Sequence, residues 1–269
     1  MRALSLSTAW EQSQLVLARD GRLLTAVALG LIVLPQTIVA VVAPGGAASA
    51  SLELRLLLLA DILIGFAAQI ALNRLAIGPS VTVGGAIGRG FARLGPVLLA
   101  LLMLSVVLGV LLVILGVGLT AAGVMAAPAA GKPPAAALVL ILVIITVASA
   151  AIFQLTIPIA AAEHGGPIRL LSRSWELARS QYLRLLAFIC LVFVGIVVLL
   201  LVSQFVVGSA VLLVLGAIRP GSVAALAYGL LVAIVQAAFT VVTAVMLSRI
   251  YVQLAGAGEA QAGVPSSGI

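Results

Sequence analysis

Charged side chains are scarce in this sequence. They make up 8% of its 269 residues, whereas a soluble globular domain carries roughly 25%. Hydrophobic residues account for 64% of the chain. Water cannot solvate so much apolar surface, so the composition excludes a soluble protein and indicates a chain that lies mostly in lipid.

Residues that carry catalysis are equally rare. Cysteine occurs once, as Cys190 within an apolar run, so an intrachain disulfide is excluded and a buried structural thiol is expected. Histidine also occurs once, and Glu163-His164 is either an acid/base pair or part of an ordinary loop before a Gly-Gly pair. The HExxH, GxSxG, Walker and CxxC patterns are all absent. We therefore expect no metal, no cofactor and no enzymatic activity.

Long apolar segments dominate what is present. Six of them match or exceed the roughly 20 residues that a helix needs to cross a bilayer. They cover residues 23–42, 54–77, 96–125, 135–162, 185–216 and 223–247. Pro35, inside the first, predicts a kink or a loosened turn. The sequence thus predicts an all-α integral membrane protein with six transmembrane helices.

A basic amphipathic segment precedes the first, third and fifth spans, and the clearest of these segments covers residues 167–186. As a helix it would place five apolar side chains on one face at spacings i, i+3, i+7, i+10 and i+14 and arginines elsewhere. The apolar positions are Ile168, Leu171, Trp175, Ala178 and Tyr182, and the arginines are Arg169, Arg173, Arg179 and Arg184. Such a helix suits a membrane surface. A weaker copy carries Trp10 and is expected to end at Asp20-Gly21, and the weakest covers residues 81–93.

The order of elements repeats three times. A surface helix, a span, a short loop and a return span recur in units of about residues 4–79, 80–166 and 167–255, and the first and third units share Ser-x-x-Trp-Glu. These units form a single transmembrane domain, residues 1–255, followed by a flexible tail, residues 256–269. The sequence predicts three two-helix repeats, each preceded by an amphipathic interfacial helix.

The distribution of basic residues predicts the orientation. Eleven arginines flank the spans on one side, and two arginines and a lysine on the other. The first group is Arg2, Arg19, Arg22, Arg74, Arg89, Arg93, Arg169, Arg173, Arg179, Arg184 and Arg249, and the second is Arg55, Lys132 and Arg219. By the positive-inside rule, both termini and all three surface helices are cytoplasmic. We expect a multi-pass protein of the bacterial inner membrane.

The third unit resembles a known family. Glu163, Gly165, Arg173-Ser174-Trp175 and the segment 182–184 look like the membrane domain of glycerophosphoryl diester phosphodiesterases. In fused members of that family, catalysis belongs to a separate barrel whose carboxylates and histidine surround a metal. The resemblance therefore implies the membrane module without the enzyme. That family often has glycine where this chain has Ser180, so the helix is expected to end differently here.

Polar residues inside the spans form a second group of candidates. Asp61, Gly65, Gln69 and Asn73 recur every fourth residue along the second span. The stripe is either a polar path for a substrate or proton, or a hydrogen-bond network that sets helix packing. Gln236, in the last span, belongs to the same class of polar intramembrane positions.

Two functions are compatible with these patterns. The first is a non-enzymatic membrane protein that binds or handles lipid-like molecules, or organises a membrane protein partner or oligomer. Arg169, Arg173 and Arg179 would then contact anionic head groups, or serve only as positive-inside anchors. The alternative is a small transporter centred on Asp61 and Gln69. Nucleic acid is not an expected partner, because the basic residues flank apolar segments.

Overall fold

The structure is a computed structural model that describes residues 5–43, 51–78, 81–121, 143–147, 149–150, 153–163 and 165–262. The first half of the chain forms α1 (Leu6–Ala28), a π-helical segment (Leu29–Val33), α2 (Leu34–Val42), α3 (Leu52–Ile77) and α4 (Val83–Ala121). The second half forms α5 (Thr156–Ala162), α6 (Pro167–Arg179), α7 (Tyr182–Leu201), a second π-helical segment (Val202–Val207), α8 (Gly208–Leu215) and α9 (Val223–Ala262). All regular structure in these residues is helical, which confirms the predicted all-α class.

Five helical runs in the described residues are long and apolar enough to cross a membrane. They are Leu6–Val42, Leu52–Ile77, Val83–Gly118, Tyr182–Leu215 and Val223–Gly256. The coarse prediction of an all-helical protein with several apolar spans is confirmed at this level of length and composition. Residues 135–142, 148, 151 and 152 of the predicted fourth span, residues 135–162, lie outside the described residues, and α5 forms its end. The sixth crossing stays a prediction.

The first surface helix does not end where the sequence predicted. α1 continues through Asp20 and Gly21 to Ala28, and the helical run reaches Val42. Glycine inside a helix costs about 1 kcal/mol relative to alanine. Leu24 and Val27 follow within two turns and are 0% and 1% exposed. Both side chains pack inside the helix bundle, and backbone groups that enter lipid must stay hydrogen-bonded, so the helix continues past the local break signal.

A second predicted boundary is also wrong. The segment 81–93 was expected to be separate from the third span, yet α4 runs unbroken from Val83 to Ala121 with Pro96 inside it. A proline in a helix interior costs about 3 kcal/mol. Val97 and Ala100, just beyond Pro96, are fully buried, so packing compensates for the lost hydrogen bond.

The third amphipathic helix does form a separate element. α6 ends at Arg179, and Gln181 has φ −135° and ψ 29°, outside helical geometry. The Ser180 hydroxyl donates to the Leu177 carbonyl at 3.2 Å within this turn. Tyr182 and Arg184 therefore lie in the first turn of α7, and their predicted place on the surface helix is wrong.

Proline accounts for the first π-helical segment. Leu29–Val33 precedes Pro35, which lies in the first turn of α2. Because proline has no N–H and its ring clashes with the carbonyl four residues earlier, a widened turn before it relieves the conflict. The predicted loosened turn at Pro35 is confirmed. The second π-helical segment contains no proline and was not predicted.

The helices α3 and α9 run through both parts of the buried core. α9 packs on α1, α2 and α3, and α3 also packs on α4. Two buried apolar clusters result. The first surrounds α5, α6 and the start of α7, and the second surrounds α1. Both clusters include residues of α3 and α9. α9 also continues to Ala262, into the segment 256–269 that was predicted to be a flexible tail. Residues 263–269 lie outside the described residues.

Glycine permits the closest helix approaches. A Cβ built at Gly90 of α4 would lie 2.5 Å from the backbone oxygen of Ala67 in α3. A Cβ at Gly229 of α9 would lie 2.5 Å from the Cβ of Ala40 in α2. Small residues at such contacts let helix backbones approach each other in lipid, where dispersion rather than water drives association.

Replacing Gly90 by alanine tests this packing. We expect Gly90→Ala to lower the free energy of unfolding by about 1–3 kcal/mol, because α4 must move away from α3. The control is Gly88→Ala on the same helix, where a Cβ meets nothing within 4 Å. The control should be neutral or stabilising by up to about 1 kcal/mol through helix propensity. Thermal unfolding in detergent micelles measures both, and equal effects would contradict the close contact.

Candidate functional site

One side of α6 is fixed to the helix bundle. Leu170, Ser174, Leu177 and Ala178 are buried along it. The Ser174 hydroxyl lies 2.9 Å from the Thr156 hydroxyl of α5 and donates to the Leu170 carbonyl at 2.9 Å. The serine of the Arg-Ser-Trp motif is therefore a packing residue that joins α6 to α5.

The opposite side of α6 is exposed. Ile168 is 69% exposed and Trp175 is 56% exposed, with Arg169 and Arg179 exposed beside them. The predicted apolar face is thus divided, because Ala178 turns into the protein while Ile168 and Trp175 face outward. The helix therefore has one side packed on protein and one exposed side, and the exposed side carries both apolar residues and arginines.

Glu163 connects three helices just before α6. The Tyr251 hydroxyl of α9 donates to Glu163 Oε1 at 2.9 Å. Arg173 Nε lies 3.6 Å from the same oxygen, and Arg173 Nη1 lies 3.5 Å from Glu176 Oε2. Arg173, which the sequence analysis placed among the head-group residues, is paired with two carboxylates of the protein. The predicted partner of Glu163 in acid/base chemistry, His164, lies outside the described residues.

Three further arginines bind backbone carbonyls, two of them at helix C-termini and the third in the turn before α6. Arg249 Nη2 of α9 donates to the Ala76 carbonyl at the end of α3. Arg89 Nη2 and Arg93 Nη1 of α4 donate to the carbonyls of Ala162 and Gly165 at 3.4 Å and 3.2 Å. Carbonyls at a helix C-terminus have no partner within the helix and carry the negative end of its dipole, so cations stabilise them. The sequence predicts for these arginines only a place on the more basic side of the spans, and no contact with a carbonyl.

Gly165 contacts one arginine and leaves room for another. Its carbonyl accepts from Arg93, and a Cβ at this position would lie 3.0 Å from Cδ of Arg169. The glycine of the resemblance motif therefore leaves room for the Arg169 side chain at the start of α6.

Arg184 lies in α7, outside α6, and its Nη1 donates to Gln181 Oε1 at 3.2 Å. Trp10 is 43% exposed on α1.

The polar stripe of α3 divides into two parts. Asn73 is 1% exposed, accepts a hydrogen bond from the Ser248 hydroxyl of α9 at 2.8 Å and donates to the Gln69 carbonyl at 2.8 Å. This end of the stripe is the packing network that was one of the two predicted interpretations. Asp61 is half-buried, and no described residue forms a hydrogen bond or ion pair with its carboxyl group.

Gln236 is not joined to this stripe. Its side chain is exposed on α9, and its backbone carbonyl accepts from the Thr240 hydroxyl at 2.8 Å. Within the described part of the chain, His, Cys, Asp and Glu residues form no group of three or more that could hold a metal.

Two substitutions on α3 separate the parts of the stripe. We expect Asn73→Leu to lower the free energy of unfolding by about 1 kcal/mol, because the Ser248 hydroxyl loses its side-chain acceptor at 2.8 Å and keeps only the backbone carbonyl of residue 73 at 3.4 Å. Asp61→Leu should cause no loss, because Asp61 makes no hydrogen bond to a described residue that the substitution would break. Unfolding in detergent, followed by circular dichroism, measures both variants. A larger loss for Asp61→Leu than for Asn73→Leu would contradict this division.

Comparison with known proteins finds one relationship. No curated protein and no solved structure matches the chain. The family model described as "Domain of unknown function (DUF7847)" matches residues 4–254. Because that match covers far more than half of the sequence, the chain belongs to this family of domains of unknown function.

Proposed function

We propose that this protein is a non-enzymatic, multi-pass protein of the bacterial inner membrane that binds anionic lipids through α6. The observation that carries the proposal is that α6 is buried along one side and exposes both apolar residues and arginines on the other. Its buried side fixes the helix, its exposed Trp175 and Ile168 suit the edge of the hydrocarbon layer, and its exposed arginines suit phosphate head groups.

The proposed topology has six spans in three repeats, with both termini cytoplasmic. Eleven of the fourteen basic residues flank the same ends of the spans, including all four arginines in residues 167–186. The two π-helical segments support a relation between the first and third repeats. The first segment is followed by the short helix α2, and the second by the short helix α8. In the proposed topology, each short helix ends the outward crossing of its repeat.

Head-group binding falls to the arginines that the protein leaves exposed. Arg169 and Arg179 are exposed on α6, whereas Arg173 is held by Glu163 and Glu176. Each basic residue near an anionic surface contributes about 1 kcal/mol of attraction. Organisation of a membrane protein partner or oligomer is a variant of this role.

A small transporter is the second candidate. The observation that favours it is Asp61, a half-buried carboxyl group in a membrane-spanning helix to which the described residues supply no hydrogen bond or counterion. If Asp61→Leu folds normally and preserves the phenotype of the protein, this candidate is excluded.

Trp175 offers a local test of lipid binding at α6. The chain has two tryptophans, so Trp10→Phe leaves Trp175 as the sole tryptophan, whose fluorescence can be excited selectively at wavelengths that tyrosine does not absorb. In liposomes, brominated phosphatidylglycerol should quench Trp175 more than brominated phosphatidylcholine does. We expect the double substitution Arg169→Gln and Arg179→Gln to reduce this preference by roughly fivefold or more.

The matched control is Arg55→Gln with Arg219→Gln, which removes the same charge from the opposite side of the predicted topology. It should leave the quenching preference unchanged. An unchanged preference in the α6 variant, or an equal loss in the control, would remove the lipid role of α6.

A further inference from the structure

A cleft of about 550 Å³ lies between α1 and α9, away from α6. Its walls combine polar and apolar side chains from both helices. They are Gln12, Leu15, Val16, Arg19, Arg249 and Val252. We propose that this cleft binds the head group and upper acyl chain of one anionic phospholipid.

Two guanidinium groups from different helices supply the anion site. Arg249 is oriented by its Nη2 hydrogen bond to the Ala76 carbonyl, and its Nε is buried without a hydrogen-bond partner among the described residues. Arg19 binds Asp20 Oδ2 through Nε at 2.9 Å and Nη2 at 2.6 Å, which leaves Nη1 for a ligand. Planar guanidinium groups pair well with phosphate oxygens.

The charge of the cleft fits a phosphodiester. Two arginines and the carboxylate of Asp20 sum to a net charge of plus one. A phosphodiester lipid head group carries one negative charge, so binding neutralises the site. A dianionic phosphate would leave an excess negative charge next to Asp20 and the carbonyl end of α3.

The apolar wall favours a lipid over a free anion. Leu15 is 71% exposed and Val252 is 38% exposed at the cleft. An acyl chain lying along these side chains would remove apolar surface from water or replace loosely held lipid, which inorganic phosphate cannot do. The amide of Gln12 can hydrogen-bond the ester or glycerol oxygens of the same molecule.

The inference deepens the proposed lipid role and rests on it for the membrane setting, but it uses none of the residues of α6. Its test therefore uses the full chain carrying Arg169→Gln and Arg179→Gln, so that lipid held by α6 does not contribute. Native mass spectrometry of the purified protein in detergent, titrated with dioleoyl phosphatidylglycerol or dioleoyl phosphatidylcholine, reports how many lipids bind and how tightly.

We expect one phosphatidylglycerol to bind more tightly than phosphatidylcholine. Arg19→Gln should weaken it about tenfold, the effect of losing one charge-assisted hydrogen bond. The control Arg22→Gln removes the same charge from an exposed position on the same helix, outside the cleft, and should change binding less than about twofold. Leu15→Gln should also weaken the lipid complex, and inorganic phosphate should not displace the lipid.

Two results would overturn the proposal. Equal weakening by Arg19→Gln and Arg22→Gln would show general surface attraction instead of a site. Displacement of the lipid by inorganic phosphate, with Leu15→Gln binding like its parent, would identify a free-anion site. Neither result bears on quenching of Trp175, so this inference and the role of α6 fail separately.

Discussion

The ends of α3 and α5 depend on arginines that belong to other helices. In a chain with 8% charged residues, a carbonyl at a helix end has few polar partners near it, and leaving such a group unpaired in an apolar setting is costly. Arg249 binds the end of α3, and Arg89 and Arg93 bind the end of α5 and the following turn. The contacts of Arg249 and Arg89 also place a cation at the negative end of a helix dipole. The three arginines are therefore structural elements of the bundle.

Both proposed lipid sites follow from this arrangement. The contacts of Arg89 and Arg93 fix the turn between α5 and α6, and Glu163 joins that turn to Arg173 and to Tyr251 of α9. This holds α6 with one side on the bundle and leaves its remaining surface exposed. On the other side of α9, the contact of Arg249 with α3 orients its guanidinium group beside the cleft on α1. Both proposed lipid sites therefore depend on protein contacts that hold their helices in place.

Sequence patterns predicted the features that depend on neighbouring residues. Apolar runs located the long helices, and the alternation of arginines with Trp175 located α6. The boundary predicted at Gly21 was wrong because burial of later residues outweighs a local break signal. The arginine–carbonyl contacts join residues 72 to 173 positions apart, so no local pattern reveals them. Arg173 and Glu163 lie ten residues apart and carry opposite charges, so their pairing was visible in the sequence. Arg173 was predicted to contact lipid head groups instead.

The central claim is that the bundle crosses a membrane with α6 on one face and the turn at Arg219 on the other. Single cysteines at Gln14, Ser172 and Arg219 test it directly in a background with Cys190→Ser, because all three positions are exposed. A membrane-impermeant maleimide applied to intact cells should label position 219 and neither 14 nor 172, and inverted membrane vesicles should give the reverse. Labelling of positions 172 and 219 from the same side would contradict the account.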